Sequence, residues 1–138
     1  MIDSIINCKN ENEADALLIT IGYDRTASHR KGAIDGGLAI IKCLHEDIEF
    51  FDRYTKKEIG YEHKIAHLDI GNLNELYPEE MVAKVKEKYK NIYSKKERFP
   101  VILGGEHSVS IGAFQAISEI EDSKNITVLQ IDAHPDLR

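Results

Sequence analysis

Apolar residues along the chain fall into two kinds of run, short and nearly continuous, or longer and periodic. Residues 16–21 (Ala-Leu-Leu-Ile-Thr-Ile), 101–103 and 126–131 (Ile-Thr-Val-Leu-Gln-Ile) are of the first kind, which predicts strands covered on both faces. Residues 64–70 form a less clearly patterned strand candidate, and 48–51 a weaker one. Between them, Ile34, Leu38, Ile41 and Leu44 recur at helical spacing, although Gly36 and Gly37 each cost a helix about 1 kcal/mol relative to Ala. The same pattern assigns Cys43 to the core. A second helix is expected to start near Pro78, with Glu79 and Glu80 in its first turn and an apolar stripe of Met81, Val82, Val85, Tyr89 and Ile92. Lys95 and Lys96 would complement its C-terminal dipole. A third helix, capped by Ser108 or Ser110, would bury Ala113, Ala116, Ile117 and Ile120.

Strands alternating with helices imply an α/β fold with a parallel sheet and helices on its faces, three layers in all. The 138 residues have room for about one domain. The sequence stops just past its last strand candidate, with no helix to cover it, so residues 1–138 are expected to be the N-terminal part of a single domain. Such a part would expose an apolar edge and associate with itself.

Composition narrows the function classes. Apolar residues make up 42% and charged residues 30%, as in a folded soluble domain. The net charge of −6 argues against a nucleic-acid or anionic-membrane partner, and the basic stretch 84–98 has Glu87 and Glu97 within it, as a solvated helix face does. The opening residues lack the features of a signal peptide, no apolar run is long enough to span a bilayer, and Cys8 and Cys43 lack metal-ligand spacing. A cytoplasmic protein with free thiols is expected.

Two segments carry candidate chemistry, each just past a strand where a parallel sheet displays functional groups. Gly104-Gly105-Glu106-His107-Ser108 runs from a strand through a permissive turn into a helix start. Asp132-Ala133-His134-Pro135-Asp136 spaces three potential ligands two residues apart, so an extended chain points them the same way. With His107 they make an imidazole and carboxylate donor set suited to Mn²⁺, Zn²⁺ or Fe²⁺. Taken singly, a strand-end histidine or an Asp-x-His pair is an ordinary structural feature; on consecutive strands they point to a metal centre. No nucleotide-binding glycine pattern is present.

These two segments resemble the Gly-Gly-Asp/Glu-His-Ser and Asp-Ala-His-x-Asp motifs of the ureohydrolases, the family of arginases and agmatinases. Residues 21–33 (Ile-Gly-Tyr-Asp-Arg-Thr-Ala-Ser-His-Arg-Lys-Gly-Ala) and 67–72 (His-Leu-Asp-Ile-Gly-Asn) are similar to two further family passages, so the likeness covers nearly the whole chain. Glu106, and Leu137-Arg138 after the last motif, look more like agmatinases than arginases. The resemblance implies an arginase-like sheet cut after about four strands, and a site of two manganese ions. His107 and Asp136 would bind the first ion, His134 the second, and Asp132 both. Two dications about 3.5 Å apart repel by roughly 20 kcal/mol at an effective dielectric near 20, which is why such a site shares anionic ligands. The implied reaction is attack of a hydroxide between the ions on a guanidino carbon, as in agmatine to putrescine and urea. Arginine, guanidinobutyrate and formiminoglutamate are alternative substrates, and a non-catalytic partner half or fragment is the alternative to an enzyme. The resemblance also implies a homo-oligomer when complete.

The family's downstream Asp-x-Asp ligands and its proton-shuttle and guanidinium-binding residues have no counterpart here, so the chain alone is expected to bind metal weakly or singly and to be inactive. Glu106 reads as a residue that holds a ligand imidazole or an adjacent loop. His29 and Arg30 read as a solvated loop, with a substrate entrance the alternative. His45 and His63 are expected to be exposed, and His67 packed and hydrogen-bonded.

Overall fold

A computed structural model describes residues 4–46, 51–94 and 98–134. Three parallel strands form its sheet, in the order β4-β1-β5: β1 (Ala16–Gly22), β4 (Ile65–Asn72) and β5 (Phe99–Gly104). The register pairs Ala16 with both Ile65 and Phe99, and an irregularity between Thr20 and Ile21 shifts the β1–β4 pairing by one residue. The central position of β1 explains its continuous apolar character, because both faces and both edges are covered.

Alternation along β1 separates the two faces. Leu17, Ile19 and Ile21 pack into the main core with Met81, Val85, Tyr89 and Ile92 of α3 (Pro78–Tyr93) and Val109, Ala113 and Ala116 of α4 (Val109–Ile120). Burying each large side chain contributes about 1.5–3 kcal/mol. On the other face, α1 (Gly36–Glu46) turns Gly37 and Ile41 inward, with Gly37 beside Thr20. Helices on both faces give the expected α/β/α layering. Pro78 opens α3 as expected, and Glu80 accepts a hydrogen bond from the Tyr77 backbone N–H at 2.9 Å. The remaining elements are a small hairpin of β2 (Phe51–Asp52) and β3 (Lys57–Glu58), followed by the single turn α2 (Ile59–Glu62). Residues 48–50, Lys95 and Lys96, which enter the strand and helix-end expectations, lie outside the described residues.

Four expectations are corrected. Residues 126–131 form no strand: among the described residues no neighbouring strand takes their backbone groups, and Leu129 and Ile131 are 85% and 93% exposed. Cys43 is exposed, because α1 meets the sheet along the Gly37–Ile41 line and Cys43 lies off it. Leu38, expected inside, is likewise exposed. Ser108 stands at the N-cap of α4 without capping it; its hydroxyl donates to Glu106 instead, and that of Ser110 donates to the His107 carbonyl. Among the described residues, no helix is long and apolar enough to cross a membrane.

Candidate metal centre

Because the three strands are parallel, the loops that follow β1 and β5 emerge on one rim of the sheet. Beyond the last paired residues, the Gly105 N–H donates to the Ile21 carbonyl at 3.0 Å and the Glu106 N–H to the Tyr23 carbonyl at 2.8 Å. The approach is so close that a Cβ on Gly105 would run into the Tyr23 carbonyl. Close contact alone therefore requires glycine at 105.

The carboxylate of Glu106 is engaged by hydroxyls on both sides of the turn. One oxygen of its carboxylate accepts from the hydroxyls of Thr26 and Ser108, which ties the β5–α4 turn to the β1–α1 loop. The other oxygen is buried without a partner, as is the Tyr23 hydroxyl. Burial, and then the Glu106 charge, push the Tyr23 phenol above its ordinary pKa. Of the two roles expected for Glu106, the hold on an adjacent loop is the one the contacts support.

That loop is anchored elsewhere too. The buried Asp24 accepts from the Gly32 N–H at 2.7 Å, and this bond leads the causes that hold its carboxyl below the usual range. The Asp24 N–H donates to Asn74 Oδ1 at 3.0 Å, Arg25 donates to the carbonyls of Asn74 and Glu75, and its guanidinium lies 4.6 Å above the Tyr77 ring. His29 and Arg30 project from the loop into solvent.

His107, Asp132 and His134 come together at this rim. Nδ1 of His107 is 3.8 Å from one oxygen of Asp132, and Nδ1 of His134 is 3.8 Å from the other. The extended geometry expected of 132–136 is not seen at its start. The chain bends through 132–134 and the His134 N–H donates to Asp132 Oδ1 at 2.9 Å. Without a strand partner for its backbone, this segment satisfies an N–H with the nearest carboxylate, as Asx turns do. That bond is the largest cause holding the Asp132 pKa below its ordinary value; the two histidines add to it. Asp136 lies outside the described residues.

A separation of 3.8 Å exceeds a hydrogen bond, and the two imidazoles are 71% and 81% exposed. Among the described residues, no three His, Cys, Asp or Glu side chains close around a point that could hold a metal ion. The three donors are thus gathered but not locked. Their chemistry suits a divalent ion of the manganese, zinc or iron type, and a carboxylate presenting one oxygen to each imidazole suits a shared ligand. The unpartnered carboxylate oxygen on Glu106, one residue from His107, is a buried anionic group whose cost a nearby cation would lower.

The other histidines lie apart from this group. His67 hydrogen-bonds Thr20 on the α1 face, His45 is exposed with Ser4 at 2.7 Å, and His63 is exposed. The sequence reading overlooked Thr26. Its only signal is a hydroxyl in the loop after β1, which acquires meaning once β1 and β5 are known to be neighbours.

A family model described as "Arginase family" matches residues 14–138. The agmatinase of Bacillus subtilis is 30% identical over 128 residues, covering 91% of this chain and 42% of the relative. The arginase of the same organism is 29% identical over 131 residues, covering 89% and 42%. Among solved structures, a Trypanosoma cruzi formiminoglutamase with Mn²⁺ superposes with a TM-score of 0.68 at 21% identity, over 83% of this chain and 38% of that one. The chain therefore spans about two-fifths of the length of the relatives it matches. With the family match extending over most of its sequence, through both the His107 turn and the Asp132 segment, this chain belongs to the arginase family.

Proposed function

We propose that these residues are part of a manganese-dependent ureohydrolase, with agmatine as substrate and putrescine and urea as products. The observation that carries the reading is the placement of one carboxylate, Asp132, between the imidazoles of His107 and His134 at the carboxyl rim of a parallel sheet. Those three groups and Asp136 would hold two Mn²⁺ ions, with Asp132 shared. Bound there, the ions would supply a water acidified enough to be deprotonated near neutral pH. The chain's own contribution is to orient the ligands: the Gly105 and Glu106 N–H groups pin the turn that presents His107, and the His134 N–H fixes the Asp132 carboxylate.

Manganese is supported by the Mn²⁺ in the T. cruzi formiminoglutamase structure and by the donor set. Agmatine is favoured by Glu106 and Leu137-Arg138. The near-equal identities to an agmatinase and an arginase make arginine the alternative substrate.

A Mn²⁺ titration followed by electron paramagnetic resonance tests the centre. His107→Ala, His134→Ala and Asp132→Asn should each weaken binding by tenfold or more; unchanged affinity in Asp132→Asn would sink the shared-ligand assignment. Asp132 and Asp136 contribute only two negative charges against four positive, so the 138-residue chain should take up one ion weakly and release no urea. A form spanning the length of these relatives should hydrolyse agmatine, read as urea, faster than arginine, read as urea, or formiminoglutamate, read as formamide. The reverse order would move the substrate and leave the centre standing.

A further inference from the structure

The side chain of Glu106 joins two segments that are 80 residues apart in sequence. Its oxygen receives the Thr26 and Ser108 hydroxyls together, while its backbone N–H and that of Gly105 bind the carbonyls of Tyr23 and Ile21. The turn is thus held from the β1 side by backbone and side chain alike, and the next residue is His107. Thr26 itself sits in a loop fixed through Asp24 to Asn74 and Gly32, and through Lys31 to the carbonyls of Asp24 and Arg25. A chain of hydrogen bonds therefore runs from the 72–77 turn, through the β1–α1 loop, to the turn that carries His107.

We propose that Glu106 is a positioning residue, and that through its bond with Thr26 the β1–α1 loop sets the orientation of His107. The proposal rests on His107 being a metal ligand. It adds that a residue with no contact to the ion, Thr26, controls how well that ligand is presented. Outer partners of ligating histidines commonly change metal affinity by about 10–100-fold when removed. Here the partner acts on the turn, one peptide removed from the ring. Thr26 is exposed, so its hydroxyl can be deleted without opening the core.

The test compares Thr26→Val, which removes the hydroxyl at nearly constant shape, with Thr26→Ser, which retains it, and with Glu106→Met, which removes the acceptor at similar length. Two readouts are taken on the 138-residue chain: the His107 ring resonances without metal, and the dissociation constant for Co²⁺, whose visible absorption reports ligation. Thr26→Val should shift the His107 resonances and weaken Co²⁺ binding about tenfold, with the melting temperature nearly unchanged, while Thr26→Ser behaves as wild type. The double variant Thr26→Val/Glu106→Met should be no weaker than the worse single one, since both remove the same contact. Unmoved His107 resonances with affinity within twofold of wild type, or losses that multiply in the double variant, would overturn the proposal. Should Thr26→Val fold poorly, Thr26→Ala removes the same hydroxyl. If the wild-type chain takes up no Co²⁺, the metal assignment fails separately, and the resonances of the metal-free variants still decide whether Thr26 positions His107.

Discussion

The hydroxyl of Thr20 in β1 meets Nε2 of His67 in β4 at 2.9 Å and donates its own proton to Asp69 Oδ1 at 2.7 Å. The imidazole must therefore supply the proton of the Thr20–His67 bond, so Nε2 carries hydrogen. Burial is the largest influence on this ring and lowers its pKa. Asp69 opposes that, and His45 reinforces it. A histidine that binds its proton less tightly when folded makes stability rise with pH between the folded and unfolded values. Its contribution is complete above about 6.5 and is lost as pH falls below that. Melting curves at pH 8, 6.5 and 5.5 should show a drop of a few degrees in wild type that His67→Gln reduces. Equal slopes in the two proteins would remove His67 from the account.

Where α4 crosses α3, Gly112 leaves no room for a side chain. A Cβ there would lie 2.7 Å from Val85 Cβ and 2.8 Å from the Val82 carbonyl oxygen. Replacing Gly by Ala in a helix ordinarily gains about 1 kcal/mol. Here overpacking should outweigh it, at a cost of about 1–3 kcal/mol. Gly112→Ala is expected to lower the urea midpoint; a raised midpoint would mean that the helices cross with more space between them.

The same crossing is tied at the surface by Glu119, which accepts from Lys86 at 2.9 Å and Lys90 at 2.8 Å. Hydrogen bonds from Lys90 and then Lys86 bring its pKa down from 4.5 to about 2. A carboxylate with a depressed pKa stabilises fully above its unfolded value, so this effect should fade as pH falls from 4.5 toward 2. Exposed pairs are weak and screened by salt. Glu119→Gln should melt a degree or two below wild type at pH 7, and at the same temperature as wild type at pH 2. A gap that persists in acid would point to a role other than charge.

Leu129 belongs to the apolar run that acquires no strand partner, and it is 85% exposed. Its replacement by Ser should change the stability of this chain by less than about 0.5 kcal/mol. A cost several times larger in denaturant titration would show that residues 126–131 are paired in solution.

Periodicity revealed those elements whose covering lies within the described residues. β1 is covered by α1 on one face and by α3 and α4 on the other, and the stripes of α3 and α4 reach the core except at Ile120, the last residue of α4, which stays half-buried outside it. Residues 126–131 carry an equally apolar pattern, yet the pattern says only that a segment seeks burial, not what is at hand to bury it. The outward turn of Cys43 follows from the close seating of Gly37 beside Thr20, a tertiary contact that helical spacing does not encode. In the site, the sequence pattern singles out His107, Asp132 and His134, and the structure brings these three side chains near one another. The Thr26–Glu106 link is not legible in that pattern, since it depends on which strands are neighbours.

The order β4-β1-β5 also fixes a schedule for the growing chain. β1 leaves the ribosome first, yet its edges are claimed only by strands made much later. Elongating from Gly22 to Phe99 at about 5–20 residues per second takes roughly 4–15 seconds. Through that interval the most apolar segment of the sheet has one permanent neighbour at most. Nascent protein should therefore depend on holdase chaperones during synthesis, with slow translation lengthening its exposure.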